Sequence, residues 1–310
     1  MILQYAVLVC LICCTWGYHN DRPIIGVLAQ ETDSESKHYG DTFIPAAYFK
    51  YVEMGGARAV PIFVKKGQAY YDHIFSSING VLFPGGGVNI LTSEYAKAAQ
   101  ILYRSAIKAN QNGDYFPLWG TCLGFQLLTA LATGKDLMTE FDAENLMLPL
   151  NFSDGYKDSR LYGNLPDDVF HYLSKENVTT NYHHYGITPT DFQFSVDLTK
   201  YFRILSTNVD RNGKEFVSTI EGINYPIYGT QWHPEKPNFI WNIQDNINHG
   251  PDAIRVAQYA ANFLVGEARK NGHRFDTIQE EIDALIENYS PVYHRDSTFA
   301  DRYYFNYTSL

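Results

Sequence analysis

One thiol stands between two glycines in Gly120-Thr121-Cys122-Leu123-Gly124-Phe125-Gln126, directly after a short apolar run and directly before a helical pattern over 123–131. A strand, a sharp turn and a helix around G-x-C-x-G is the layout of a nucleophile elbow, in which flanking glycines permit the close packing that a tight turn needs. The N-terminus of the following helix favours a thiolate there. The first helical amide, Leu123 N–H, then faces the position where an oxyanion would develop. The alternative is a buried core cysteine, since free cysteine is among the most buried residue types; the elbow context outweighs it.

A thiol nucleophile needs a base. Of ten histidines, His233 stands out in Gln231-Trp232-His233-Pro234-Glu235, after an apolar run expected to be a strand over 225–232. In extended backbone, residues two apart project to one side, so Glu235 is placed to orient the imidazole that deprotonates Cys122. A loop histidine beside a solvated glutamate is the competing reading, and the elbow reverses the odds against it. Upstream, Pro84-Gly85-Gly86-Gly87 ends another apolar run. With no side chain to block approach, an amide near Gly86 supplies a second oxyanion donor. A phosphate loop is the rival, but the Gly-Lys-Ser/Thr ending is missing; a plain turn is the other alternative.

The elements that must position these residues alternate. Strands are expected over 24–29, 59–63, 80–83 and 116–120, with Pro61 weakening the second. Helices are expected over 42–54, 71–78, 93–111 and 123–131. This alternation predicts an α/β fold with a parallel or mixed central sheet and helices on both faces. The middle, 148–220, reads as strand and loop, and 253–270 as an amphipathic helix. The aromatic tail from Tyr289 carries no readable period. No linker-like segment divides the chain, so 18–310 is expected to be one domain.

The three glycine, cysteine and histidine motifs, in this order and at these long spacings, resemble the class I glutamine amidotransferase superfamily, and within it the gamma-glutamyl hydrolase family. That likeness runs through nearly the whole chain, including Arg22-Pro23-Ile24-Ile25-Gly26-Val27-Leu28-Ala29-Gln30 and Tyr225-Pro226-Ile227-Tyr228-Gly229-Thr230-Gln231-Trp232-His233-Pro234-Glu235-Lys236. It implies a flavodoxin-like fold and hydrolysis of gamma-glutamyl bonds in folate and antifolate poly-gamma-glutamates, with no cofactor or metal. By the same likeness Gln126 touches the glutamyl part of the substrate, although it reads equally as a polar residue on the exposed side of the elbow helix. A histidine before the last strands also matters in the family; in Asn181-Tyr182-His183-His184 the best fit is His183, an ordinary polar loop being the alternative. The resemblance further implies a homodimer and a lysosomal or secreted location.

The ends of the chain and its charge fit that picture. Residues 2–16 are almost wholly apolar and uncharged, too short to span a bilayer, and read as an export signal cut after Gly17. Its n-region lacks Lys and Arg; a buried first element is the alternative. Removing 1–17 takes Cys10, Cys13 and Cys14 with it and leaves Cys122 with no internal disulfide partner. Four sequons, at Asn151, Asn177, Asn288 and Asn306, then become glycosylation sites, with Asn288 disfavoured by Pro291. A net charge of −10 argues against nucleic acid or an anionic membrane as main partner. Three rival functions stay open: an ammonia-releasing glutaminase, an α/β-hydrolase with a cysteine elbow and an acid such as Asp210 before its histidine, and a non-catalytic secreted member of the fold.

Overall fold

The computed structural model describes residues 20–295 and 297–308; the export-signal reading and the cysteines at 10, 13 and 14 lie outside them. Five parallel strands form the heart of an eight-stranded sheet, in the spatial order Arg58–Ile62, Ile24–Leu28, Gly80–Phe83, Leu118–Thr121, Ile227–Thr230. Glu215–Gly222, Phe202–Val209 and Asn151–Phe152 extend it antiparallel. The parallel part follows the order 2-1-3-4-5 of flavodoxin-like folds, in which ligands bind beyond the carboxyl ends of the strands.

Parallel strands covered on both faces need apolar residues throughout, and Ile24–Leu28 and Gly80–Phe83 are buried at every position. Arg58–Ile62 is an edge strand, which is where a sheet tolerates Pro61, since proline has no N–H for a ladder. The helices Gln68–Ser77, Glu94–Gln111 and Leu123–Thr133 pack on one face and Ala46–Met54, Asp167–Lys175 and Pro251–Ala268 on the other. Ser93 caps Glu94–Gln111 by accepting from Ala96 N–H, satisfying one orphan donor of the first turn.

Two expectations are corrected and one segment left open is filled in. Helix does not begin at residue 42: Thr42–Pro45 is a strand, and the helix starts after Pro45, whose own ψ of 131° is extended. The middle of the chain carries helices as well as strands, Asp167–Lys175, Pro189–Phe194 and Val196–Tyr201. They are short, and a few residues show too little of a 3.6 period to read. The aromatic tail is structured: Asp301–Phe305 pairs with Thr42–Pro45, which pairs with Gln30–Glu31, while Val292–Tyr293 adds an edge. Residues some 260 apart in sequence thus share a small sheet, a pairing that no local pattern announces.

The elbow depends on close backbone contact. Phe83 and Gly120 are in register on adjacent strands. A Cβ on Gly124 would lie 2.0 Å from the Phe83 carbonyl oxygen, and one on Gly120 would lie 2.4 Å from the Gly124 oxygen. Only glycine lets helix and strand meet this closely. Gly124→Ala is therefore expected to lower unfolding stability by about 2 kcal/mol or more. By contrast Gly266→Ala, in open space on Pro251–Ala268, is expected to raise it by roughly 0.5–1 kcal/mol. Urea denaturation of both variants checks the contrast, and an equal effect of the two would remove the packing argument.

Candidate active site

Cys122, the glycine turn at 84–87 and His233 follow the C-terminal ends of three neighbouring parallel strands, Leu118–Thr121, Gly80–Phe83 and Ile227–Thr230. The sheet alone therefore brings together residues over a hundred positions apart. Cys122 has φ 53° and ψ −106°, a conformation rarely adopted by a side-chain-bearing residue and costing about 1–3 kcal/mol. Its N–H donates to Thr230 O at 2.8 Å, and its carbonyl accepts Gln126 N–H at 3.0 Å, so sheet and helix hold the strained residue from both sides. Leu123 is the first residue of the helix, where an N–H has no intrahelical acceptor.

The thiol is not in the open. Cys122 is only 6% exposed, and its Sγ lies 3.9 Å from the Tyr182 carbonyl oxygen. The strand Thr179–Gly186, paired with Thr139–Leu148, carries Tyr182 and His183 over it.

His233 and Glu235 meet, but not through extended backbone. The strand ends at Thr230, and Glu235 has helical φ and ψ as it leads into Lys236–Phe239. The turn through Pro234 brings the side chains together: His233 Nδ1 donates to Glu235 Oε1 at 2.7 Å, both residues buried. This leaves Nε2 for the thiol. A Cβ on Gly85 would be 2.9 Å from His233 Cε1, 3.2 Å from Cys122 Cβ and 2.7 Å from the Tyr48 hydroxyl, so the glycine turn, imidazole and nucleophile converge on one point. Burial opposes charge on His233, but Glu235, and after it Cys122, push it up to about 9. Asp210 does not meet His233: its carboxylate accepts the N–H groups of Asp142, Asn212 and Lys214, while the carboxylate on His233 is Glu235, which follows it in the chain, against the α/β-hydrolase order.

Gln126 is buried rather than exposed; its Nε2 donates to Tyr185 O at 2.8 Å and reaches Gln231 Oε1 at 3.4 Å. His183 is buried too, with Nδ1 3.0 Å from Tyr185 O and Nε2 lacking a hydrogen-bond partner among the described residues. Burial, aided by repulsion from His233, pulls His183 down to about 3, so it is neutral at neutral pH.

Several residues here escaped the sequence reading. Lys236 is fully buried, its ammonium 4.2 Å from the Tyr182 ring centre and 4.7 Å from that of Phe299. Burial pulls it below the ordinary lysine value, while Glu235, Asp245 and Cys122 act to keep it charged. Phe299, from the tail, packs beside His233 and Tyr48. Tyr48 and Gln30 contact the glycine turn. Only the placement of Lys236 straight after the His-Pro-Glu run could have flagged one of them.

Asn151, Asn177, Asn288 and Asn306 are all exposed. The Asn288 amide nitrogen, the atom a glycan would take, donates to the carbonyls of Ile282, Asp283 and Leu285. Among the described residues no group of three or more His, Cys, Asp or Glu side chains is placed to share a metal ion.

Comparison with known proteins places the chain. The profile of the family described as Peptidase C26 matches residues 23–235. Gamma-glutamyl hydrolase from Mus musculus is 43% identical over 293 residues, covering 94% of this chain and 92% of that protein. The Homo sapiens gamma-glutamyl hydrolase is 44% identical over 288 residues, covering 92% and 90%. Gamma-glutamyl hydrolase B of Dictyostelium discoideum is 41% identical over 293 residues, covering 94% and 84%. With the elbow, the glycine turn and the His–Glu pair already assembled at one sheet edge, the chain belongs to the gamma-glutamyl hydrolase family, Peptidase C26.

Proposed function

We propose that this chain is a cysteine hydrolase that cleaves gamma-glutamyl bonds of folate and antifolate poly-gamma-glutamates through a thioester on Cys122. The observation that carries the reading is the buried Glu235–His233 pair set against a thiol on a strained elbow. Membership of the gamma-glutamyl hydrolase family supplies the bond type.

The chemistry follows from the geometry. His233 already carries the thiol proton on Nε2 as an imidazolium, and the thiolate of Cys122 attacks the gamma-carbonyl carbon. The carbonyl electrons move to oxygen, where the amides of Leu123 and Gly86 receive the developing charge. Collapse breaks the C–N bond as the His233 imidazolium gives its proton to the leaving amine. Water, deprotonated by the same imidazole, then attacks the thioester carbonyl, and Cys122 leaves as thiolate. Glu235 keeps Nδ1 protonated and stabilises the imidazolium throughout. Gln126, Gln231 and neutral His183 would form the polar wall that faces the glutamyl group.

The apolar residues 2–16 and the exposed sequons support an exported glycoprotein, lysosomal or secreted, with glycans at Asn151, Asn177 or Asn306 rather than Asn288. Likeness to the family adds a homodimer.

Mass spectrometry of products from a folate poly-gamma-glutamate tests the reaction. Shortened folates and free glutamate or gamma-glutamyl peptides are expected, and Cys122→Ala should lower the rate by about 10⁴-fold or more. Ammonia from free glutamine with the tail left intact would instead establish a glutaminase. Retained hydrolysis by Cys122→Ala would remove the nucleophile assignment.

The pH profile tests the proton donor. The ordinary histidine value is 6.5 and that of folded His233 about 9. The shift is upward, so its stabilisation is fully present below 6.5 and lost as pH rises through about 9. Hydrolysis should likewise fall as pH rises through about 9. Glu235→Gln, which keeps the shape and drops the charge, should move that fall to lower pH and reduce kcat; an unmoved alkaline limb would overturn the role of Glu235.

A further inference from the structure

An oxyanion donor on a glycine turn is useful only if the turn holds still. Glycine peptides rotate freely, and a flipped one would present a carbonyl where an N–H is needed. In this protein two successive peptides of the turn are each tied by a buried side chain. The Pro84–Gly85 peptide is held at both ends. Gly85 N–H donates to the Tyr48 hydroxyl at 2.8 Å, and Pro84 O accepts the Tyr95 hydroxyl at 2.8 Å and lies 3.4 Å from Gln30 Nε2. The Gly85–Gly86 peptide is held through its oxygen, which accepts Gln30 Nε2 at 2.9 Å.

A trans peptide is planar, with N–H and C=O on opposite sides. Anchoring Gly85 O on Gln30 therefore turns Gly86 N–H away from Gln30. The contact is close on the Gly86 side as well: a Cβ there would lie 1.8 Å from Gln30 Oε1. Tyr48 is fully buried and Gln30 only 1% exposed, so water does not compete for these bonds. The Tyr48 hydroxyl also lies 3.5 Å from His233 Nδ1, a packing distance more than a strong bond. Burial beside Glu235 and Cys122 keeps that phenol protonated.

We infer that Gln30 and Tyr48 are positioning residues that lock the glycine turn, so that the Gly86 amide is preset for the oxyanion before substrate arrives. The inference rests on the hydrolase reading above and extends it to what prepares the site. Neither residue touches the reacting atoms; each acts through a peptide plane. Donors aimed in advance at developing charge favour the transition state over the ground state.

The test uses Tyr48→Phe and Gln30→Met in the full chain, with thermal melting to confirm folding. Each variant should lose about 10- to 100-fold in kcat, with KM within about twofold. The second readout is a gamma-aldehyde analogue of the substrate glutamyl group. The Cys122 sulfur adds to its carbonyl carbon, and the resulting hemithioacetal oxygen occupies the oxyanion position. Affinity for that analogue should fall by the same factor as kcat, while affinity for the cleaved product is unchanged. A purely structural role would lower the melting temperature and leave the ratio of aldehyde to product affinity untouched, which would overturn the inference. Variants with wild-type kcat, beside an active wild type, would sink the clamp alone. A wild type that leaves gamma-glutamyl bonds intact would sink the hydrolase reading and the clamp with it.

Discussion

The backbone of Cys122 is the constraint on which the rest of the site depends. A side-chain-bearing residue at φ 53°, ψ −106° persists only where its surroundings over-determine it. Here the bond to Thr230 O ties it to the neighbouring parallel strand, and the first turn of Leu123–Thr133 ties it to the helix. That helix in turn reaches the sheet only because Gly120 and Gly124 have no side chains to keep them apart. Strain at the nucleophile, glycine at the contacts and the parallel register are thus one arrangement. The same Ile227–Thr230 strand that holds Cys122 also delivers His233 a few residues later.

Burial sets the chemistry of that arrangement. His233 and Glu235 are both nearly inaccessible, and a buried unpaired charge is far more costly than a buried pair. Burial opposes the charge on His233, and Glu235 and Cys122 beside it push it up, with Lys236 nearby between two rings. His183 lies on the other side of this balance: burial, aided by repulsion from His233, holds it neutral, its Nδ1 meeting only the Tyr185 carbonyl. Two histidines close to one thiol are thus pushed in opposite directions by their surroundings.

The C-terminal tail completes the enclosure. Asp301–Phe305 pairs with Thr42–Pro45, the strand leading into the helix that carries Tyr48, and Phe299 lies against both Tyr48 and His233. Thr298 reaches the Tyr182 hydroxyl at 3.4 Å. Tail and first helix therefore pack beside His233, while the Thr179–Gly186 strand lies over the thiol.

The sequence by itself determined the alternation of strands and helices, the thiol between two glycines and the histidine with a carboxylate two residues on. These are local facts: a buried parallel strand is a short apolar run, a helix a 3.6-residue period, and an elbow a fixed spacing of glycines around one thiol. It mistook the route by which Glu235 reaches His233, since a period of two is only meaningful in a strand, and the chain turns after Thr230. Only the tertiary structure decided what surrounds the thiol. Gln30 and Tyr48 on the glycine turn, Phe299 beside the histidine, the burial of Gln126 and the coupling of His183 to His233 join residues tens to hundreds of positions apart. Such contacts arise where sheet order and chain crossings bring distant segments together, and no local pattern of residues encodes which segments those are.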